Sequence, residues 1–309
     1  MNKKKIEGMV AATFTPMNDS GSLNLEQIPP MVNRLIRQGV QGIYVCGSTG
    51  EGPSLTSQER KIVAEAFVQA AAKRISVLVH VGHNSIAEAK DLASHAQKIG
   101  ADYISSVPPS YFKINSVSAL VNCLADIASA APELPFYYYN IPGLTGVSLD
   151  MLEFLKQSEQ SIPTLAGIKY TTPLIHEYQA CLNFENKKYD ILYGTDEMLL
   201  SALAVGAKGY IGSTYNFMAP LYQRLRESFD NGDLNTAQEL QLVSVNIVRI
   251  IVKYGGLAAQ KMMMKLAGIN CGDVRLPLQP LSIEDQKSME QDLRKIGFFD
   301  GVFEEKVEG

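Results

Sequence analysis

The sequence predicts an α/β fold, a TIM-type (β/α)8 barrel with a C-terminal helical extension. Eight short runs rich in Val, Ile, Tyr and Phe alternate with longer amphipathic segments, from the first residues to beyond position 230. No Pro-, Gly- or Ser-rich linker interrupts them, and eight βα units in about 230 residues exceed the roughly five or six strands at which a doubly wound sheet usually stops. Three further helix-like segments, near 235–254, 257–268 and 282–297, come after the last unit. The expected division is a catalytic barrel over 1–233 and a helical extension over 234–309.

Each element carries its own signal. The first strand run is "MVAATFTP" (9–16), and "RLIRQG" (34–39) closes a helix with glycine before the second, "GIYVCGS" (42–48). Thr56 with Glu59 forms a capping box that opens the next helix, and Ser85 with Glu88 repeats it after the third run, "SVLVHVG" (76–82). "AQKIG" (96–100) ends that helix ahead of "YISSVPP" (103–109). Then come "PFYYYN" (135–140), "LAGIKY" (165–170) and "DILYGTD" (190–196). "ALAVGAKG" (202–209) closes a helix before the eighth run, "GYIGSTY" (209–215).

Composition narrows the function. With 309 residues, 46% of them hydrophobic, the chain can fill a sizeable core. A net charge of -4 with scattered lysines and arginines lacks the basic stripe that a phosphate backbone requires, so no nucleic-acid partner is expected. The basic start "MNKKKIEG" is interrupted by Glu7, and the run "MVAATFTPM" behind it is too short and mixed for a signal-peptide core. No segment approaches a membrane span. Cys46, Cys123, Cys181 and Cys271 lie far apart without a C-x-x-C pair, which fits reduced thiols and a cytoplasmic location.

In a (β/α)8 barrel the loops after the strands' C-terminal ends carry the chemistry. Lys169 in "TLAGIKYTT" ends the sixth strand. A strand-end lysine often just meets water, but one enclosed in a barrel mouth without a partner tends to give up its proton and become a nucleophile. Tyr139 ends the fifth strand at a matching height, roughly 5 Å away across the sheet. An amine that forms a Schiff base with a ketone, and a phenol that moves protons beside it, make a carbon-carbon bond-breaking pair. "GSTGEG" (47–52) has neither the G-x-G-x-x-G spacing of a dinucleotide loop nor the lysine of a P-loop. It reads as a tight turn, or as a nest in which backbone N–H groups and the Ser48 and Thr49 hydroxyls hold a small carboxylate. His80 and His83 lack ligand-type carboxylates, so no metal is expected, and His95 and His176 read as surface residues. Met262, Met263 and Met264 read as core filling.

Taken together and in order, "CGSTGEG", "YYYNIPGLTGV", "GIKYTT", "YGTDE" and "IGSTYN" resemble the N-acetylneuraminate lyase branch of the class I aldolases, which also includes dihydrodipicolinate synthase. The resemblance runs from "GMVAATFTPM" to "RLPLQP". It implies reversible cleavage of N-acetylneuraminate, a sialic acid, into N-acetylmannosamine and pyruvate, without a metal or organic cofactor. Lys169 would form the Schiff base and Tyr139 handle the protons. Ser48 and Thr49 would hold the carboxylate, and Thr171 the substrate near the cleaved bond. Asp196, Glu197 and Ser213, with the backbone of Gly194 and Gly212, would hold the hydroxylated tail. Tyr111 in "PPSYFK" corresponds to a tyrosine lent across a subunit interface, which implies a homotetramer.

Three alternatives use the same residues. The sibling synthase carries an arginine where "GLTG" here places Leu144, and an anionic aldehyde would be repelled by the acids of "GTDE". An aldolase for 2-keto-3-deoxy sugar acids would differ only in the tail-binding residues. A silent barrel that senses a ligand would be marked by loss of Lys169 or Tyr139, and both are present.

Overall fold

A computed structural model describes residues 5–299. Eight strands, β1 (Gly8–Ala12), β2 (Gly42–Val45), β3 (Ser76–His80), β4 (Tyr103–Ser106), β5 (Phe136–Asn140), β6 (Leu165–Tyr170), β7 (Asp190–Tyr193) and β8 (Gly209–Gly212), pair in parallel in chain order. β1 also pairs with β8, which closes the barrel.

The strand alternation sorts apolar side chains into two shells. Val10, Tyr44, Leu78, Tyr137, Tyr139, Leu192 and Ile211 fill the interior. Their neighbours, such as Ile43, Val79 and Tyr138, face the surrounding helices. Tyr138 packs on Phe154, with ring centroids 4.9 Å apart. At the N-terminal end of the barrel, Tyr137 donates its hydroxyl to the buried Asp190 (2.7 Å), which also accepts the Ile6 N–H (2.9 Å). This closes the floor and leaves the strands' C-terminal ends as the polar mouth of the barrel interior.

The strand runs read from sequence overshoot the ladders at that mouth. β1 stops at Ala12, β2 at Val45 and β7 at Tyr193, while the apolar and small residues continue. Thr13, Phe14, Cys46 and Val81 stay buried because the mouth is itself enclosed; the Thr13 and Val81 N–H groups still bond the Tyr44 and Ser105 carbonyls of the neighbouring strands (3.0 and 2.7 Å) beyond the last ladder pairs.

The barrel helices are α1 (Ile28–Arg37), α2 (Ser57–Ala71), α3 (Ile86–Lys98), α4 (Val117–Ser129), α5 (Pro142–Thr145), α6 (Met151–Ser161), α7 (Ile175–Asn183), α8 (Leu199–Ala204) and α9 (Tyr215–Asp230). Thr56 and Glu59 form the full reciprocal capping box of α2. Ser85 caps α3, but Glu88 does not return the bond; its carboxylate accepts the Ser57 hydroxyl instead. Among the described residues three helices come after the barrel: α10 (Leu234–Lys253), α11 (Leu257–Leu266) and α12 (Ile283–Lys295). The chain turns by 119° between α10 and α11. Gly255 and Gly256, with φ of 86° and 64°, supply the left-handed backbone for this turn, which swings α11 across the barrel mouth. Among the described residues no single helix is long and apolar enough to cross a membrane.

Candidate active site

Tyr139 and Lys169 are direct register partners on β5 and β6. Alternation turns both side chains inward, and each is only 4% exposed. Lys169 Nζ lies 3.7 Å from the centroid of the Tyr139 ring and 4.2 Å from that of Tyr44. Two π faces at these distances attract a cation and partly offset its lost hydration. No carboxylate ion-pairs with Lys169 among the described residues, so the amine is enclosed without a fixed counter-ion.

Two residues of this enclosure belong to no motif. Tyr44 stands on β2 with its ring edge-to-face to Tyr139, centroids 5.7 Å apart. Burial pushes its phenol well above the usual pKa, and the hydroxyl donates to Ser105 Oγ (3.1 Å). His80, at the end of β3, also meets Tyr139 edge-on at 6.0 Å. Burial, then the Arg60 and Lys169 charges, pushes its pKa well below the ordinary value. The ring is therefore neutral: Nε2 accepts the Val107 N–H (3.3 Å), and Nδ1 is placed to donate to the Cys46 carbonyl (3.2 Å). Inward parity on strands β2 and β3 was the available signal for both residues. His83 lies past the strand and accepts the Ser85 N–H. No group of three or more His, Cys, Asp or Glu residues that could hold a metal occurs among the described residues.

The "GSTGEG" turn lies beside this pair. Glu51 N–H bonds Ser48 O (3.1 Å) and Gly52 N–H bonds Gly47 O (3.0 Å). A Cβ at position 47 would sit 2.4 Å from the Tyr44 ring, so only glycine lets the turn reach the mouth. Ser48 and Thr49, half-buried, line the cleft.

The facing wall comes from the ends of β6, β7 and β8. Thr171 lines this wall, and its hydroxyl is buried without a hydrogen-bond partner. Gly194, Glu197 and Ser213 also line this wall. Asp196 is buried, and its Oδ2 accepts both the N–H (2.9 Å) and the hydroxyl (2.6 Å) of Thr214. Burial pushes its carboxyl up to about 6, against the lowering effect of those two bonds. A Cβ on Gly212 would lie 1.5 Å from Asp196 Oδ1, which is why β8 must end in glycine there. Of the two acidic acceptors in "GTDE", Asp196 has one oxygen already engaged by Thr214.

The resulting cleft has a volume of about 320 Å³, suited to a small molecule. It brings Lys169, Tyr139, Ser48 and Thr49 together with the Thr171 to Ser213 wall. Val248 and Ile251 of α10 and Gln260 of α11 close one side. Tyr111 lies elsewhere: it is 78% exposed, edge-to-face with Phe112, which is 83% exposed. Its loop is held by Asn84 Oδ1, which accepts the Ser110 and Tyr111 N–H groups. Leu144 is also exposed and outside the cleft, because α5 winds into one turn that presents Ile141 to the lining instead.

A model of the dihydrodipicolinate synthetase family matches residues 5–296. An N-acetylneuraminate lyase A of Xenopus laevis is 43% identical over 279 residues, 89% of this chain and 91% of that protein. The N-acetylneuraminate lyase of Homo sapiens is 40% identical over 301 residues, 96% of this chain and 94% of the other. The solved structure of the N-acetylneuraminate lyase (sialic acid aldolase) from Aliivibrio salmonicida superposes with a TM-score of 0.93 at 42% identity, covering 96% of this chain and 98% of that one.

Proposed function

The chain belongs to the dihydrodipicolinate synthetase family, and we propose that it is a class I aldolase that reversibly cleaves N-acetylneuraminate to N-acetylmannosamine and pyruvate. The observation that carries this reading is the enclosed Lys169 amine, in register with Tyr139 and without an acidic partner.

In the proposed reaction the free amine of Lys169 attacks the C2 ketone, and loss of water leaves a protonated imine. Ser48 and Thr49 hold the adjacent carboxylate. Removal of the C4 hydroxyl proton, through Tyr139, lets the C3–C4 electron pair flow into the imine and releases the sugar aldehyde. The enamine left behind takes a proton at C3, and water frees pyruvate and the lysine. Thr171 binds near the cleaved bond, while Asp196, Glu197 and Ser213, with the Gly194 and Gly212 backbone, receive the polyol. The active form is a homotetramer in which Tyr111 reaches a neighbouring subunit's site; its exposure beside Phe112 supports this. The described cysteines form no disulfide, in keeping with a cytoplasmic enzyme.

Borohydride with pyruvate should trap a covalent adduct on Lys169, located by peptide mass, and Lys169→Ala should lose both adduct and turnover. An adduct on another residue would remove the mechanism. Incubation with N-acetylneuraminate should release pyruvate, whereas pyruvate with aspartate semialdehyde should not be consumed. The opposite pair of results would move the enzyme to the synthase branch.

A further inference from the structure

Glu51 belongs to the "GSTGEG" turn, yet it does not face the cleft. Its side chain is fully enclosed, and Oε1 lies 2.7 Å from Nζ of Lys261 on α11, a lysine that is itself 2% exposed. Glu51 Oε2 accepts the Arg275 N–H (2.8 Å), and Lys261 donates to the Asp273 carbonyl (2.7 Å). The turn that carries Ser48 and Thr49 is thus fastened at its far end to the helical extension. It needs fastening: Cys46 and Glu51, neither a glycine, bracket it with φ of 60° and 53°. Non-glycine residues hold that left-handed backbone only when their surroundings over-determine it. Lys261 is also just over one helical turn from Gly256 and beside Gln260, both on the cleft lining, so one helix closes the cleft and clamps the turn.

We propose that Lys261 and Glu51 are positioning residues that hold the Ser48 and Thr49 hydroxyls in place for the substrate carboxylate, which makes the C-terminal extension a working part of the active site. This rests on the reading of Ser48 and Thr49 as the carboxylate nest.

The test separates positioning from stability. Removing one partner of a buried ion pair strands the other charge, so Lys261→Met and Glu51→Gln should each lower the melting temperature, and the double variant, with neither charge, should recover much of it. Positioning predicts a different pattern for ligands. The pyruvate concentration that half-saturates borohydride trapping should rise about tenfold or more in Lys261→Met and stay raised in the double variant, the effect of a displaced hydrogen bond to a charged group. The KM for N-acetylmannosamine, which carries no carboxylate, should stay within about twofold of the parent. Pyruvate saturation that returns to the parent value with the melting temperature, or that weakens equally with the sugar, overturns the proposal. Ser48→Ala is the control. If it raises half-saturating pyruvate while the double variant does not, the clamp fails and the nest stands; if Ser48→Ala has no effect, nest and clamp fall together.

Discussion

Asp196 illustrates what a single enclosed residue contributes. Its carboxyl is pushed up to about 6 from 3.8, chiefly by burial, so the folded state holds its proton more tightly than the unfolded chain does. The sign is then fixed: this contribution to stability is complete below about pH 3.8 and is lost as pH rises through about 6, leaving an ionised, buried acceptor at neutral pH. A shift of this size corresponds to roughly 3 kcal/mol. The difference in unfolding free energy between the parent and Asp196→Asn should therefore change between pH 4 and 7, measured by urea titration at each pH. The ionised form is the stronger acceptor for a sugar hydroxyl. kcat/KM for N-acetylmannosamine should fall as pH drops through about 6, and Asp196→Asn should lack this limb and lose about 10- to 100-fold at neutral pH. Tyr139→Phe acts on another step. It keeps the ring face 3.7 Å from the amine and removes the proton carrier, so borohydride trapping should persist while cleavage slows about 10²- to 10⁴-fold. A parent rate in Tyr139→Phe would transfer the proton role to another group.

At the scale of elements, the helix starts and the inward parity of the strands were legible because their causes are local. Thr56 and Glu59 lie three residues apart, and so does their capping box. The Glu88 half of the second box was not legible, since its carboxylate is taken by Ser57, 31 residues away in sequence and invisible to a local pattern. Strand ends were overread for a similar reason: Cys46 looks like strand to any apolar pattern, yet its φ of 60° starts the turn. Glu59 shows one residue serving two elements. It caps α2 and also receives the Arg275 guanidinium on both oxygens (2.6 and 2.9 Å), which holds its carboxyl down at about 2. Thr56→Ala should cost about 1 kcal/mol in denaturant unfolding, and Glu59→Ala distinctly more, because it also removes both carboxylate bonds of Arg275 and leaves that guanidinium only the Gly21 and Ser54 carbonyls. The depressed carboxyl fixes the pH dependence. Its contribution is present above about 4.5 and is lost as pH falls through about 2. The penalty of Glu59→Ala should be constant above about pH 5 and shrink in acid; a penalty independent of pH would assign it to packing alone.

For the whole molecule, the barrel order was legible and the third dimension of the mouth was not. Eight periodic runs dictate eight staves, but nothing local tells that the turn at Gly255 and Gly256 brings Gln260 to the cleft or joins Lys261 to Glu51, more than two hundred residues earlier. Tyr111 poses the same problem one level higher. Within one chain its ring is 78% exposed and outside the cleft, stacked edge-on against an equally exposed Phe112. Two large rings side by side in water are a poor arrangement for a lone monomer and a good one for the centre of an interface between copies. If Tyr111 serves the site of a neighbouring subunit, two defective variants should repair each other. Lys169→Ala subunits have no nucleophile but keep Tyr111; Tyr111→Ala subunits keep the nucleophile but receive no ring from their own kind. Refolded together in equal amounts across a two-fold interface, about a quarter of the sites should pair an intact Lys169 with a partner's intact Tyr111. Activity of the mixture should then exceed the sum of the two variants refolded apart, and light scattering should report a tetramer for each. If Tyr111 worked only within its own chain, no mixed site would be complete, and the mixture would show the average of its two components.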